Sequence, residues 1–169
     1  ALGDVTVIDA ANVTITSKTA AATWDDITLD NTDTTTVTVK ASTVALTTGL
    51  LASTNAVSSL TVSSSSAATT METMLDADGL TSLTISGSTG NVTTGVIGAT
   101  GNTGNAASLS TIDITAAGGS DVTVGNIFAD DVVTSATAAD SSIAVNVTLT
   151  GSTSASSIGT IDAEAQAMT

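Results

Sequence analysis

Along most of the chain, aliphatic and hydroxyl-bearing residues alternate in a short phrase: an aliphatic residue, a Thr and another aliphatic residue. A period of two places the aliphatic side chains on one face of a β-strand and the threonines on the other. The clearest copy is residues 80–87 (LTSLTISG), in which Leu83 and Ile85 share one face. The pattern therefore predicts an all-β chain of short strands that are joined by tight corners.

The spacing of the phrase indicates how the strands are arranged. Copies begin at Val13, Val37, Leu60 and Leu83, with intervals of 24, 23 and 23 residues, and the next interval, to Ile112, is 29 residues. A period of about 22–30 residues predicts a parallel β-helix (β-solenoid) with two or three strands per turn. Residues 1–169 then form a single solenoid segment, either a processed chain or part of a longer repeat array.

Two other architectures remain as alternatives. An immunoglobulin-like sandwich usually has turn prolines and a core aromatic residue, whereas this chain has no Pro and only Trp24 and Phe128 as aromatics. A disordered low-complexity chain would lack the regular aliphatic alternation. Both alternatives are therefore less favoured than the solenoid.

One stretch departs from the strand pattern. In residues 67–78 (AATTMETMLDAD), Met71, Met74 and Leu75 have the i, i+3, i+4 spacing of one helical face, and Gly79 follows as a helix stop would. The spacing predicts one short helix over 67–78, and a loop is the alternative.

Composition and charge exclude several function classes. The 16 acidic residues against Lys18 and Lys40 give a net charge of −14, which excludes nucleic acid and anionic membrane surfaces as partners. No apolar run has the roughly 18 residues of a membrane helix, so we expect no membrane insertion. The chain has no His and no Cys, and its adjacent carboxylate pairs lie on opposite strand faces, so we expect no enzyme activity.

Calcium is the candidate ligand that the acidic residues support. Asp30 and Asp33, and separately Asp76 and Asp78, offer oxygen ligands within a few residues, as a hard cation prefers. A chain with this net charge also gains from a counter-ion. We therefore predict a Ca²⁺ site at these four aspartates and no other cofactor.

Stacked copies of the phrase are expected to align their threonines in outward ladders. The threonines concerned are the central residues of the phrases, namely Thr6, Thr14, Thr28, Thr38, Thr61, Thr84, Thr123 and Thr148. Flat Thr ladders on β-solenoids can match the ice lattice in antifreeze proteins. Here the flanking outward residues vary among Asp, Asn, Ser, Lys and Thr, which disfavours ice binding.

Residues 80–87, 109–115 (LSTIDIT) and 57–63 (VSSLTVS) resemble the repetitive parts of bacterial surface-layer (S-layer) and RTX-type exported proteins. The resemblance implies secretion to the cell surface, β-solenoid segments and calcium-dependent assembly into a lattice. We therefore expect an extracellular structural protein that self-assembles into a surface layer or filament, because uncapped solenoid edges template further strand pairing. Its expected partners are copies of itself, with a cell-surface polysaccharide as a further candidate, and an adhesin stalk or binding module is the alternative function.

Overall fold

The computed structural model describes residues 2–30, 35–53, 57–75, 77–98, 108–129, 142–151, 156–162 and 167–168, and these residues form strands and turns with no helix. The strands in chain order are β1 (Val5–Ile8), β2 (Asn12–Ser17), β3 (Ala22–Trp24), β4 (Ile27–Asp30), β5 (Thr35–Ala41), β6 (Leu46–Thr48), β7 (Leu51–Ser53), β8 (Val57–Ser64), β9 (Thr69–Met71), β10 (Met74–Leu75), β11 (Ser82–Gly87), β12 (Val92–Thr94), β13 (Thr111–Ala116), β14 (Val122–Val124), β15 (Ile127–Phe128), β16 (Ser142–Leu149), β17 (Ser157–Ile158), β18 (Ile161–Asp162) and β19 (Ala167–Met168). The prediction of an all-β chain is confirmed for these residues.

The strands form three sets of parallel neighbours, which we call sheets I, II and III. Sheet I has seven strands in the order β2-β5-β8-β11-β13-β16-β19, and sheet II has six in the order β3-β6-β9-β12-β14-β17. Sheet III begins with β1-β4-β7-β10, continues through single bridges from Met74 to Ile97 and from Ile97 to Ile127, and ends with β15-β18. The chain therefore passes repeatedly through sheets I, II and III in that order.

The register of sheet I follows the predicted spacing over most of its length. Val13 pairs with Val37, Val37 with Leu60, Leu60 with Leu83, and Leu83 with Ile112. Every strand pair among the described residues is parallel, which differs from the antiparallel pairing that an immunoglobulin-like sandwich requires. Copies of the phrase thus lie side by side in register.

The core consists of aliphatic columns that run across the strands. Inward residues of sheet I such as Leu60, Leu83 and Ile85 are fully buried, as are Leu29 and Ile97 of sheet III. The β-branched Val, Ile and Thr residues favour this extended backbone because their χ1 angles are restricted. Each fully buried aliphatic side chain contributes about 1.5–3 kcal/mol to folding.

The predicted helix over 67–78 is wrong. Residues 69–71 form β9 of sheet II and residues 74–75 form β10 of sheet III, with Glu72 and Thr73 at the corner between them. Met71 and Met74 are both buried because the chain changes direction at this corner, so a spacing of three fits two strands as well as a helical face. Within the pattern of the other strands, these two methionines are ordinary core residues.

Val57 and Leu60 are also three residues apart, but the structural reason for their burial differs from that of Met71 and Met74. Val57 and Leu60 lie on one strand, β8, and both are buried. The pairing of β5 with β8 shifts register between Thr35 and Thr36, where Val57 pairs with Thr35 and Ser59 pairs with Thr36. This β-bulge inserts one residue and returns both side chains to the core.

Strand β16 of sheet I departs from the sequence phrase. The phrase Val147-Thr148-Leu149 suggests that Thr148 continues the column of Thr84, but Val145 is the residue that pairs with Ile112. Thr148 instead pairs with Thr115, two residues further along each strand. Val147 and Leu149 pair with the buried residues Ile114 and Ala116, yet they are 45% and 48% exposed near the sheet edge.

Candidate functional site

One residue of each predicted calcium pair, Asp30 and Asp78, lies within the described residues. Asp30 is the exposed last residue of β4 and pairs with Ile8, whereas Asp78 is half-buried in the turn before Leu80. Asp33 and Asp76 lie outside the described residues. Within the described ranges, no group of three His, Cys, Asp or Glu residues is placed to hold a metal ion.

Of the adjacent carboxylates Asp25 and Asp26, Asp26 has a structural role at a corner between sheets II and III. One carboxylate oxygen of Asp26 accepts a hydrogen bond from the backbone N–H of Leu50 at 3.1 Å. The Asp4 carboxylate accepts in turn from the N–H of Asp26 at 3.3 Å. These carboxylates therefore satisfy backbone groups at the corner. The other pair, residues 130–131, lies outside the described residues.

Many Ser and Thr hydroxyls also serve the backbone. Just before strands β11 and β13 of sheet I, Thr81 Oγ1 donates to the Ser58 carbonyl at 2.9 Å, and Ser110 Oγ donates to the Thr81 carbonyl at 3.0 Å. In the two preceding strands, Ser58 Oγ donates to the Thr35 carbonyl at 3.4 Å, and Thr35 Oγ1 donates to the Ala10 carbonyl at 2.8 Å. This ladder links each corner to the preceding one, which explains part of the Ser and Thr content without any ligand.

The outward face of sheet I is chemically mixed. Its central column starts with Thr14, Thr38, Thr61 and Thr84 and then changes to Asp113 and Asn146. Asn146 Nδ2 donates to Asp113 Oδ1 at 2.8 Å, so the last two members bind each other. The expected ladder therefore exists over four strands and then gives way to a carboxylate and a carboxamide.

Sheet II carries a more regular ladder that sequence reasoning missed. Its single outward column consists of Thr23, Thr47, Thr70, Thr93, Thr123 and Ser157. Four of these residues lie in three-residue strands without the full aliphatic-Thr-aliphatic phrase, so Thr123 is the one member of this column among the threonines expected from the sequence. This column could have been predicted from the Thr or Ser that recurs about six to eight residues after the end of each long strand.

One cavity of about 550 Å³ lies beside the first strands of sheets I and II. It is lined by Leu2 and residues 16–24, which include Lys18 and Trp24, the only Trp of the chain. The hydroxyl of Ser17, at the end of β2, donates to the carbonyl of Val44, which lies in the turn before β6.

Comparisons with protein-family models, curated proteins and solved structures find no match to this chain. Among the described residues there is no helix with the length and apolar character needed to cross a membrane. The assignment of a function therefore depends on the surfaces that the strands present.

Proposed function

We propose that the chain is a β-solenoid of an extracellular structural protein, similar to S-layer and RTX-type proteins, that self-assembles into a surface layer or filament. The repeated passage through sheets I, II and III, with parallel register in each, supports the solenoid. The absence of His and Cys from the sequence supports a structural role over a catalytic one.

The observation that carries the assembly proposal is the edge of β16 that faces away from β13, which β19 covers only in part among the described residues. Ala144 N–H donates to the Ser110 carbonyl and Thr150 N–H to the Ala116 carbonyl, so the backbone groups of the alternate residues face away from β13. In the described chain, β19 pairs only with Ser142 and Ile143. The backbone from 144 to 149 therefore offers hydrogen-bonding groups beside two half-exposed aliphatic side chains.

The outer edge of β2 is the surface that fits this edge. No strand of the described chain pairs with that side of β2, whose inward residues Val13 and Ile15 begin the same columns that Val145 and Val147 extend. A second copy placed with β2 parallel to β16 would continue sheet I without a change of register. The contact would cover the exposed parts of Val147 and Leu149.

Negative-stain microscopy and light scattering over a concentration series test the proposal. Wild-type protein is expected to form sheets or fibres, and V147E, which places a charge in the apolar column, is expected to disperse them. T148E is the matched control, because Thr148 is the exposed neighbour on the outward face of the same strand. Monodisperse rods at every concentration of wild-type protein would favour the adhesin stalk, whereas equal dispersal by both variants would remove β16 as the contact.

A second candidate function is ice binding by sheet II. The threonine column from Thr23 to Thr123, followed by Ser157, is unbroken and its members are exposed or half-exposed. Such a column presents a methyl and a hydroxyl group at each strand spacing of about 4.8 Å. Thermal hysteresis measured in a nanolitre osmometer, and its loss in T70K but not in T61K on sheet I, would establish this activity. Zero hysteresis in the wild type would exclude it.

A further inference from the structure

We propose that the cavity between Leu2 and residues 16–24 is a binding site for a saccharide that carries a carboxylate, such as a uronic acid of a surface polysaccharide. The site adjoins the β2 edge of the assembly proposal, because Thr16 and Ser17 of its lining are the last two residues of β2. The inference rests on three features of the cavity: its charge, its aromatic residue and the anchoring of its walls.

The charge of the cavity lining is opposite to that of the chain. The chain has 16 acidic residues and two lysines, yet the residues that line the cavity include Lys18 and no Asp or Glu. Lys18 is exposed, so its ammonium group is accessible to a bound anion. A carboxylate at this position would gain a charge-assisted hydrogen bond.

The remaining lining suits a sugar. Trp24 is half-buried, packs against the core and contributes to the cavity wall, and the amphipathic indole is suited to pack against the C–H groups of a pyranose ring. Thr16, Thr19 and Thr23 add hydroxyl groups that can both donate and accept. An aromatic wall, several hydroxyls and a single cation together match an acidic saccharide better than a purely apolar ligand.

Backbone contacts anchor both walls of the cavity. Leu2 N–H donates to the Thr23 carbonyl at 2.7 Å, and Asp25 N–H donates to the Leu2 carbonyl at 3.3 Å, which pairs Leu2 with Trp24. On the other side, Thr43 Oγ1 donates to the Lys18 carbonyl. These contacts hold the walls in place before a ligand arrives, which limits the entropy lost on binding.

Trp24 makes the site directly observable, because it is the only Trp and the chain has no Tyr. The experiment titrates the 169-residue chain with trigalacturonate as the acidic probe and maltotriose as the neutral probe, and follows Trp emission. The acidic probe is expected to change the emission saturably, with the stronger apparent affinity. K18Q should weaken binding of trigalacturonate by about fivefold and leave maltotriose unchanged.

K40Q is the matched control, because Lys40 lies on β5, does not line the cavity and carries the same charge. Binding in K40Q should equal that of wild type, and circular dichroism checks that both variants fold. Three results would overturn the proposal: no saturable change with trigalacturonate, an equal loss in K18Q and K40Q, or an emission shift with protein concentration alone. The last result would mean that a second copy of the chain fills the cavity.

Discussion

Gly95 offers the sharpest test of how closely the strands are stacked. It lies at the corner between β12 and Ile97, and a Cβ built on it would be 1.6 Å from the carbonyl oxygen of Glu72. The corresponding contacts are looser at Gly49, with 2.6 Å to the Asp25 carbonyl oxygen, and at Gly125, with 2.4 Å to that of Gly95. We therefore predict that Gly95→Ala is strongly destabilising.

The magnitude follows from the distance that the strands must part. Real Cβ atoms essentially never approach within 3.0 Å of such an atom, so the corner must open by more than a quarter of the roughly 4.8 Å strand spacing. That movement stretches the hydrogen bonds from Gly95 N–H to Met71 and from Gly98 N–H to Met74, now 2.8 and 2.9 Å. Two weakened hydrogen bonds at about 1 kcal/mol each and a gap beside the buried methionines give a loss of about 3–5 kcal/mol in unfolding free energy.

Urea denaturation followed by far-UV circular dichroism measures this loss. Gly3→Ala is the matched control, because no atom lies within 4 Å of its built Cβ, and its effect should stay within about 0.5 kcal/mol. An unfolding free energy for Gly95→Ala within about 1 kcal/mol of the Gly3→Ala value would refute the close stacking.

Three further predictions concern the core and the ions. Leu83→Ala should lower the unfolding free energy by about 2–5 kcal/mol, because Leu83 is fully buried. Thr84→Ala, on the outward face of the same strand, should lower it by less than about 1 kcal/mol. Equal losses for the two variants in urea titrations would contradict the assigned faces. Thr94→Val should raise it by about 1 kcal/mol, because the Thr94 hydroxyl is buried and has no hydrogen-bond partner among the described residues; a lower denaturation midpoint would show that a partner exists. Millimolar Ca²⁺ should raise the melting temperature of the chain, because a cation that binds the folded state stabilises it, and EDTA should reverse the rise. An unchanged melting temperature and no heat in isothermal titration would contradict the predicted calcium binding.

The sequence alone determined the strand type and most of the register. Alternation with a period of two requires extended backbone, and recurrence every 22–24 residues brings identical phrases together, because like aliphatic residues stack best on each other. The pairs Val5 with Ile27 and Val92 with Val122 follow the same rule, and the second does so across an interval of 30 residues. These features could be predicted because each depends on residues within one phrase and on the distance to the next.

Only the tertiary structure decided how the phrases divide among three sheets and where the corners lie. The spacing of Met71 and Met74 is the same for a helical face and for two strands that meet at a corner, and only the neighbouring strands on each side select the second. The cavity at Lys18 and Trp24 likewise has no local signature, because Leu2 reaches it through pairing with a strand about twenty residues later. Local periodicity fixes the face of each side chain, but the assignment of each strand to a sheet depends on contacts between residues that are distant in sequence.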